Sequence, residues 1–246
     1  MPMPTRSLRW DRLRKAALAL AVVAASACSS NEPPELLPIS AEETRQLFLY
    51  SHLNSTGYAG HGFVLEREGK RPLGVTAFHV VGPMTSEPTD PDAQVATAWL
   101  RTVVDSLILV RLGTRLTVPG AHTLNGSDTQ HDVAAFAVID FIPSRALQLA
   151  AGLPAVGDTV FVLAMHVNTN DPRSGPRRHP ARVLISSDTE LRYVYLASAN
   201  ANNTSGAAVL NREGQVVGLN VGTLVNGPQV HGLAVGVNSL RALLPD

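Results

Sequence analysis

The sequence predicts an all-β fold, and three observations carry that expectation. Short apolar runs recur along the chain, separated by Gly, Pro, Asn and Asp. Between residues 55 and 237 no long stretch has helical periodicity. The few helix signals are short. A series of brief strands at this spacing suits a barrel or a sandwich rather than βαβ units. At 246 residues the chain is near the upper limit for a single all-β domain.

Ser40-Ala41-Glu42-Glu43 fits a capping box ahead of a short helix, with Ser40 as N-cap and Glu43 three residues on. Strand-like runs follow at 62–65, 74–76, 107–112, 133–139, 159–165, 181–185, 193–197, 207–210, 216–221 and 232–237. Residues 91–102 and 144–151 read as short helices among them. Asn238 is read as the cap of a terminal helix. Residues 84–93, rich in Pro, Thr and Asp, and 168–180, polar and basic with three prolines, read as loops. Loops carried on a rigid barrel are common places for ligand selection. No internal repeat is visible, and a division into two barrels would fall near residues 141–157.

The N-terminus reads as an export signal rather than as part of the fold. Arg6, Arg9, Arg12, Arg14 and Lys15 stand against the single acid Asp11, and residues 16–25 are unbroken apolar. That run is too short to span a bilayer, which needs about 20 residues. A basic segment, a short apolar core and then small residues describe a secretory signal. Ala25-Ser26-Ala27 leads into Cys28, the only cysteine of the chain. This ending resembles a bacterial lipobox, which implies cleavage before Cys28, acylation of its thiol and a lipid anchor in a membrane of the cell envelope. Residues 28–42 would then be a polar, Pro-bearing tether. With the thiol acylated, no disulfide is available and the apolar core must suffice alone.

Charge excludes one class of partner. The chain has 20 basic and 20 acidic residues; loss of residues 1–27 removes five basic and one acidic, leaving 15 against 19. No basic stripe remains, so nucleic acid is not an expected partner. No H-E-x-x-H occurs, the histidines are scattered, and one acylated Cys cannot build a thiolate zinc site, so neither metal catalysis nor a cofactor is expected.

Three residues form a constellation for acyl transfer, which needs a nucleophile, a base, an acid that orients the base, and N–H donors for the developing oxyanion. Ser205 in NNTSGAAVLN sits in a tight turn, between asparagines and Gly206, that opens into a strand. His79 in GVTAFHVVG follows a strand-like run, and Asp132 in HDVAAFAVID precedes one. His131 is a rival base by sequence proximity, but neighbours along a strand point to opposite faces. Asp128 and Asp140 are rival acids better suited to turns.

These segments, in this order, resemble the trypsin-like (chymotrypsin-fold) serine peptidases, in the divergent bacterial Htr-like branch. Gly60-His61-Gly62-Phe63-Val64 is similar to that family's G-x-G-F-V, and GVTAFHVV to its L-T-A-A-H-V-V. Asp132-Val133-Ala134 is similar to its D-[LIV]-A, and residues 203–209 to its G-N-S-G-G-P-V. NREGQVVGLNVG, from Asn211, and HGLAVGVNSLRALL, from His231, resemble the segments that follow. The match covers about residues 58–245.

The resemblance implies two six-stranded antiparallel β-barrels, about 43–141 and 157–237, and a terminal helix at 238–245. It implies a serine endopeptidase acting on protein or peptide substrates. His79, Asp132 and Ser205 would be its triad, the N–H groups of Asn203 and Ser205 its oxyanion hole, and Val221, Gly222 and Thr223 part of its substrate pocket. The absence of charge at 197–202 implies a small or apolar P1 residue. There are departures. Phe78 replaces an alanine, Asn203 replaces the oxyanion-hole glycine, and Ala207 and Ala208 replace Gly-Pro. A protease-fold binding module with an inactive turn is therefore the alternative reading.

Overall fold

A computed structural model describes residues 48–52, 58–81, 98–102, 109–123, 128–139, 146–166, 175–196 and 204–246. Twelve strands form two closed six-stranded antiparallel barrels. The first contains β1 (Phe48–His52), β2 (Tyr58–Leu65), β3 (Leu73–Thr76), β4 (Ala98–Thr102), β5 (Leu109–Leu116) and β6 (Ala134–Val138), closed in the order β1-β2-β3-β6-β5-β4. The second contains β7 (Thr159–His166), β8 (Gly175–Ser186), β9 (Leu191–Tyr195), β10 (Ala208–Leu210), β11 (Val216–Asn226) and β12 (Gln229–Gly236), in the order β10-β11-β12-β9-β8-β7. A single turn of helix, α1 (Phe78–Val81), follows β3, and α2 (Val237–Leu243) ends the chain. Among the described residues no helix is long and apolar enough to cross a membrane.

The near-continuous apolar runs have a structural cause: both faces of these strands are covered. Alternation divides each strand between two cores. Val64, Leu112, Ala134 and Phe136 fill the first barrel, and Val162, Val183, Leu191, Tyr193, Val209 and Ala234 fill the second. Their neighbours Phe63, Leu65, Leu73, Val75, Ala135, Leu210, Leu219, Leu233 and Val235 meet in a third cluster, shared by the two barrels and closed by Leu240 of α2. Each large side chain so covered is worth roughly 1.5–3 kcal/mol.

Several expectations need correction. Residues 98–102 are strand rather than helix: β4 is held on both sides, by β1 and β5, and β1 itself had no sequence signal. Residues 146–150 are extended rather than helical. Their backbone groups serve both barrels: Leu147 exchanges 2.8 Å bonds with Val64 and Glu66, Gln148 accepts from Val216 at 2.8 Å, and Ala150 donates to Val216 at 2.9 Å. Residues 175–180, placed in a loop, form the start of β8, paired with β7 from His166↔Gly175 onward. The N-cap of α2 is Gly236, and Asn238 lies inside the helix, donating to Asp188 at 2.8 Å. The helix expected after Ser40 and the loop at 84–93 lie outside the described residues.

Candidate active site

His79 stands in α1, immediately after β3, and Asp132 immediately before β6, the strand that pairs with β3. Strand pairing therefore brings together two residues far apart in sequence. Asp132 is fully buried and offers both oxygens to His79: Oδ1 accepts the backbone N–H at 2.9 Å, and Oδ2 lies 2.6 Å from Nδ1. A carboxylate can only accept, so the ring donates Nδ1–H and keeps the lone pair of Nε2 for an incoming proton. The His79 side chain remains 27% exposed, so that nitrogen is within reach of a ligand. Phe78, the bulky residue ahead of it, carries the Arg115 guanidinium 4.4 Å above its ring.

Ser205 occupies a turn of the second barrel that is fastened to the first. Its carbonyl accepts the N–H of His61 in β2 at 2.8 Å, and the carbonyl of His61 accepts Thr76 Oγ1–H at 2.6 Å. Gly206 has φ +84°, and a Cβ there would lie 1.9 Å from the His61 carbonyl oxygen and 2.6 Å from Thr76 Oγ1. Only glycine meets both demands. On the other side, a Cβ on Gly60 would be 3.0 Å from the Ser205 carbonyl oxygen and from both γ-methyls of Val80, the residue after His79. Gly60 is thus the thin point at which the Ser205 turn and the His79 turn converge.

Within the second barrel the turn rests on Asn220, which is fully buried in β11. Asn220 Nδ2 donates to Thr204 O at 2.9 Å and to Thr204 Oγ1 at 3.0 Å, while Oδ1 accepts Tyr193 Oη–H at 2.5 Å. Its backbone carbonyl takes the Gly206 N–H at 2.8 Å. Burial raises both neighbouring phenols: Tyr195 to about 12 and Tyr193 well above its ordinary value, the latter helped by the adjacent Tyr195. Both therefore stay neutral below strongly alkaline pH.

The pairing of β11 with β12 skips a residue between Asn220 and Gly222. Val221 turns into the shared core, while Gly222 and Thr223 are partly exposed. Asn203 and Cys28 lie outside the described residues, as does Asp140. Of the rivals to the pair, His131 faces Asp128 rather than Asp132. Asp128 accepts the N–H of Gln130 at 3.1 Å, the turn role its sequence suggested. Gly60 and Asn220 appear in the sequence only as positions within family-like motifs, and Thr76 only as the end of a strand-like run; the sequence assigns none of the three a part in this arrangement. The polar residue inside the apolar run VVGLNVG is a further local signal for Asn220.

Residues 60–219 match the family model described as the trypsin-like peptidase domain. No curated protein matches the chain at a significant level. Solved structures do. The chain is similar to Rv3671c from M. tuberculosis in an inactive form, at 18% identity and a TM-score of 0.54, covering 87% of this chain and 93% of that one. It is similar to kallikrein-related peptidase 10, at 14% identity and a TM-score of 0.59, covering 83% and 96%. It is also similar to the serine endoprotease from Yersinia pestis, at 17% identity and a TM-score of 0.53, covering 84% and 65%. At these identities the likeness is one of fold.

Proposed function

Because the chain belongs to the trypsin-like peptidase family, we propose that it is a serine endopeptidase in which Ser205, His79 and Asp132 act as nucleophile, base and orienting acid. The observation that carries this reading is the two-point hold of buried Asp132 on His79. Ser205 Oγ attacks the scissile carbonyl as its proton passes to His79 Nε2, forming a tetrahedral oxyanion. Collapse expels the amine, which takes that proton, and leaves an acyl ester on Ser205. Water, deprotonated by the same nitrogen, attacks the ester; the second tetrahedral intermediate collapses, the proton passes from Nε2 to the departing Ser205 Oγ, and the acid is released. Asp132 stays ionised throughout and stabilises the imidazolium. The N–H groups of Asn203 and Ser205 serve the oxyanion, each such donor being worth about 10²–10³ in kcat.

Gly222 and Thr223, partly exposed on β11, line the pocket for the P1 side chain, with Val221 turned into the core behind them. The uncharged residues 197–202 favour a small or apolar P1 side chain. The basic N-terminal segment, the short apolar run and Cys28 support export and lipid anchoring, with the domain held at a membrane of the cell envelope.

The test is labelling by a fluorophosphonate probe together with cleavage of casein. Wild-type protein should do both, and Ser205→Ala neither. A wild type that does neither overturns the reading.

Asn203, Ala207 and Ala208, where the family has Gly, Gly and Pro, favour a second reading, a binding module on the same fold. Asn203→Gly separates the two. A rise in turnover marks a working but poorly formed oxyanion turn. Peptide binding without labelling in both proteins marks a binder.

A further inference from the structure

We propose that His122, Asp128 and His131 form a binding site for a divalent transition-metal ion of the zinc type. The coordinating atoms of the three residues all lie within 4.8 Å of one another. His122 Nε2 is 3.2 Å from Asp128 Oδ2, and His131 Nδ1 is 3.4 Å from Asp128 Oδ1. Ligand atoms at about 2.0–2.2 Å from a tetrahedral ion are spaced at about 3.3–3.6 Å, the edge of the tetrahedron.

The tautomer at His122 sharpens the case. Its Nδ1 lies 2.8 Å from the Thr123 carbonyl oxygen, which only accepts. Nδ1 therefore carries the hydrogen, which leaves Nε2 as the atom that faces the Asp128 carboxylate, 3.2 Å from Oδ2. At that spacing the pair holds either a proton, as an ordinary His–Asp ion pair, or a metal ion in its place. Anchoring of the remote ring N–H on a backbone carbonyl is also how zinc-binding histidines are oriented. The Gln130 N–H, 3.1 Å from Asp128 Oδ1, fixes the carboxylate in the same way.

Two imidazoles and one carboxylate suit zinc rather than magnesium or calcium, which prefer all-oxygen sets. The side chains are 43%, 41% and 34% exposed, so an ion has access and water can fill the remaining position. The site also reaches the segment that carries Asp132. The carbonyl of His131 accepts N–H groups from His122 at 3.1 Å and from Val133 at 2.8 Å. A bound ion would staple the turn at His122 to the residue preceding Asp132.

The inference does not depend on peptidase activity, and its test reads metal directly. Full-length protein carrying Cys28→Ser, which removes the only thiol, is titrated with Zn²⁺ against a chromogenic chelator. One ion should bind per chain. His122→Gln and His131→Gln should each weaken binding by about tenfold or more, and His79→Gln should leave it intact. Zn²⁺ should raise the melting temperature of the parent protein and not that of the double variant carrying both His122→Gln and His131→Gln. Co²⁺ in the parent should give the visible absorption of a nitrogen- and oxygen-coordinated ion, a readout that needs no variant to fold. Absence of binding in the parent, or equal binding by the double variant, leaves only surface His–Asp ion pairs and overturns the proposal. Loss of binding in His79→Gln alone would move the ion to the His79–Asp132 pair and overturn it equally.

Discussion

Asp132 grips His79 at two points, its Oδ1 on the backbone N–H at 2.9 Å and its Oδ2 facing Nδ1 at 2.6 Å. The first contact sets where the turn of α1 sits, and the second sets which ring nitrogen is free. Asp132→Asn separates these roles, since an amide keeps the shape but cannot hold the same tautomer. It should lower kcat on the order of 10⁴-fold with little change in KM, read on any peptide that the wild type cleaves. Asp132→Ala should in addition lower Tm, because the His79 N–H loses its acceptor. Equal kcat for wild type and Asp132→Asn would remove His79 from the role of base.

Gly206 and Gly214 form a matched pair of probes. Both have positive φ, +84° and +79°, but a Cβ on Gly214 would meet nothing within 4 Å. Gly214→Ala should therefore cost only the left-handed backbone term, roughly 1–2 kcal/mol. Gly206→Ala must also displace His61 and Thr76 and should cost at least about 2 kcal/mol more. Urea midpoints with unchanged slope would measure the difference. Indistinguishable midpoints would mean that the turn moves off β2 without penalty.

Asn220 supports the residue before Ser205 from beneath. Asn220→Ala strands the Tyr193 hydroxyl and takes a donor from Thr204 in a fully buried place. A loss of roughly 2–4 kcal/mol is expected. Turnover should fall further than that loss of folded protein explains, because the Ser205 turn loses its floor. Activity per folded molecule, from active-site titration, distinguishes the two effects.

The two buried phenols predict an alkaline limit. Tyr195 is raised from 10.0 to about 12. A proton held more tightly in the folded state contributes stability that is complete below pH 10 and lost as pH rises from 10 toward 12. For Tyr195 alone that contribution is of order 3 kcal/mol. Urea midpoints should fall through this window, and less steeply in Tyr195→Phe. A flat profile would mean that the phenols reach solvent.

The sequence displayed more of the candidate site's residues than of the framework that holds them. His79, Asp132 and Ser205 stand out because each is a chemically distinctive residue in a recognisable flank. The framework eluded reading because its contacts are long-range. His61 bonds to Ser205, and nothing local to either residue announces the other. β1 and β4 exist through pairing with each other and with β2 and β5, so the local helix signal at 91–102 was a poor guide over its last five residues. The start of β8 was hidden by its composition. Arg178 lays its guanidinium 5.7 Å from the centre of the Phe161 ring, and His179 is buried, so polar residues do the work of apolar ones there.

The core shared by the two barrels has a consequence for how the chain is made. Synthesis completes the first barrel before the second exists, so Phe63, Leu65, Leu73 and Val75 must wait uncovered for Leu210, Leu219, Leu233 and Val235. The interval from β6 to α2 is about 100 residues, or roughly 5–20 s at ordinary elongation rates. For that time the nascent chain presents a contiguous sticky face to its surroundings. A chain cut short between the barrels is then an aggregation hazard rather than half of a working protein.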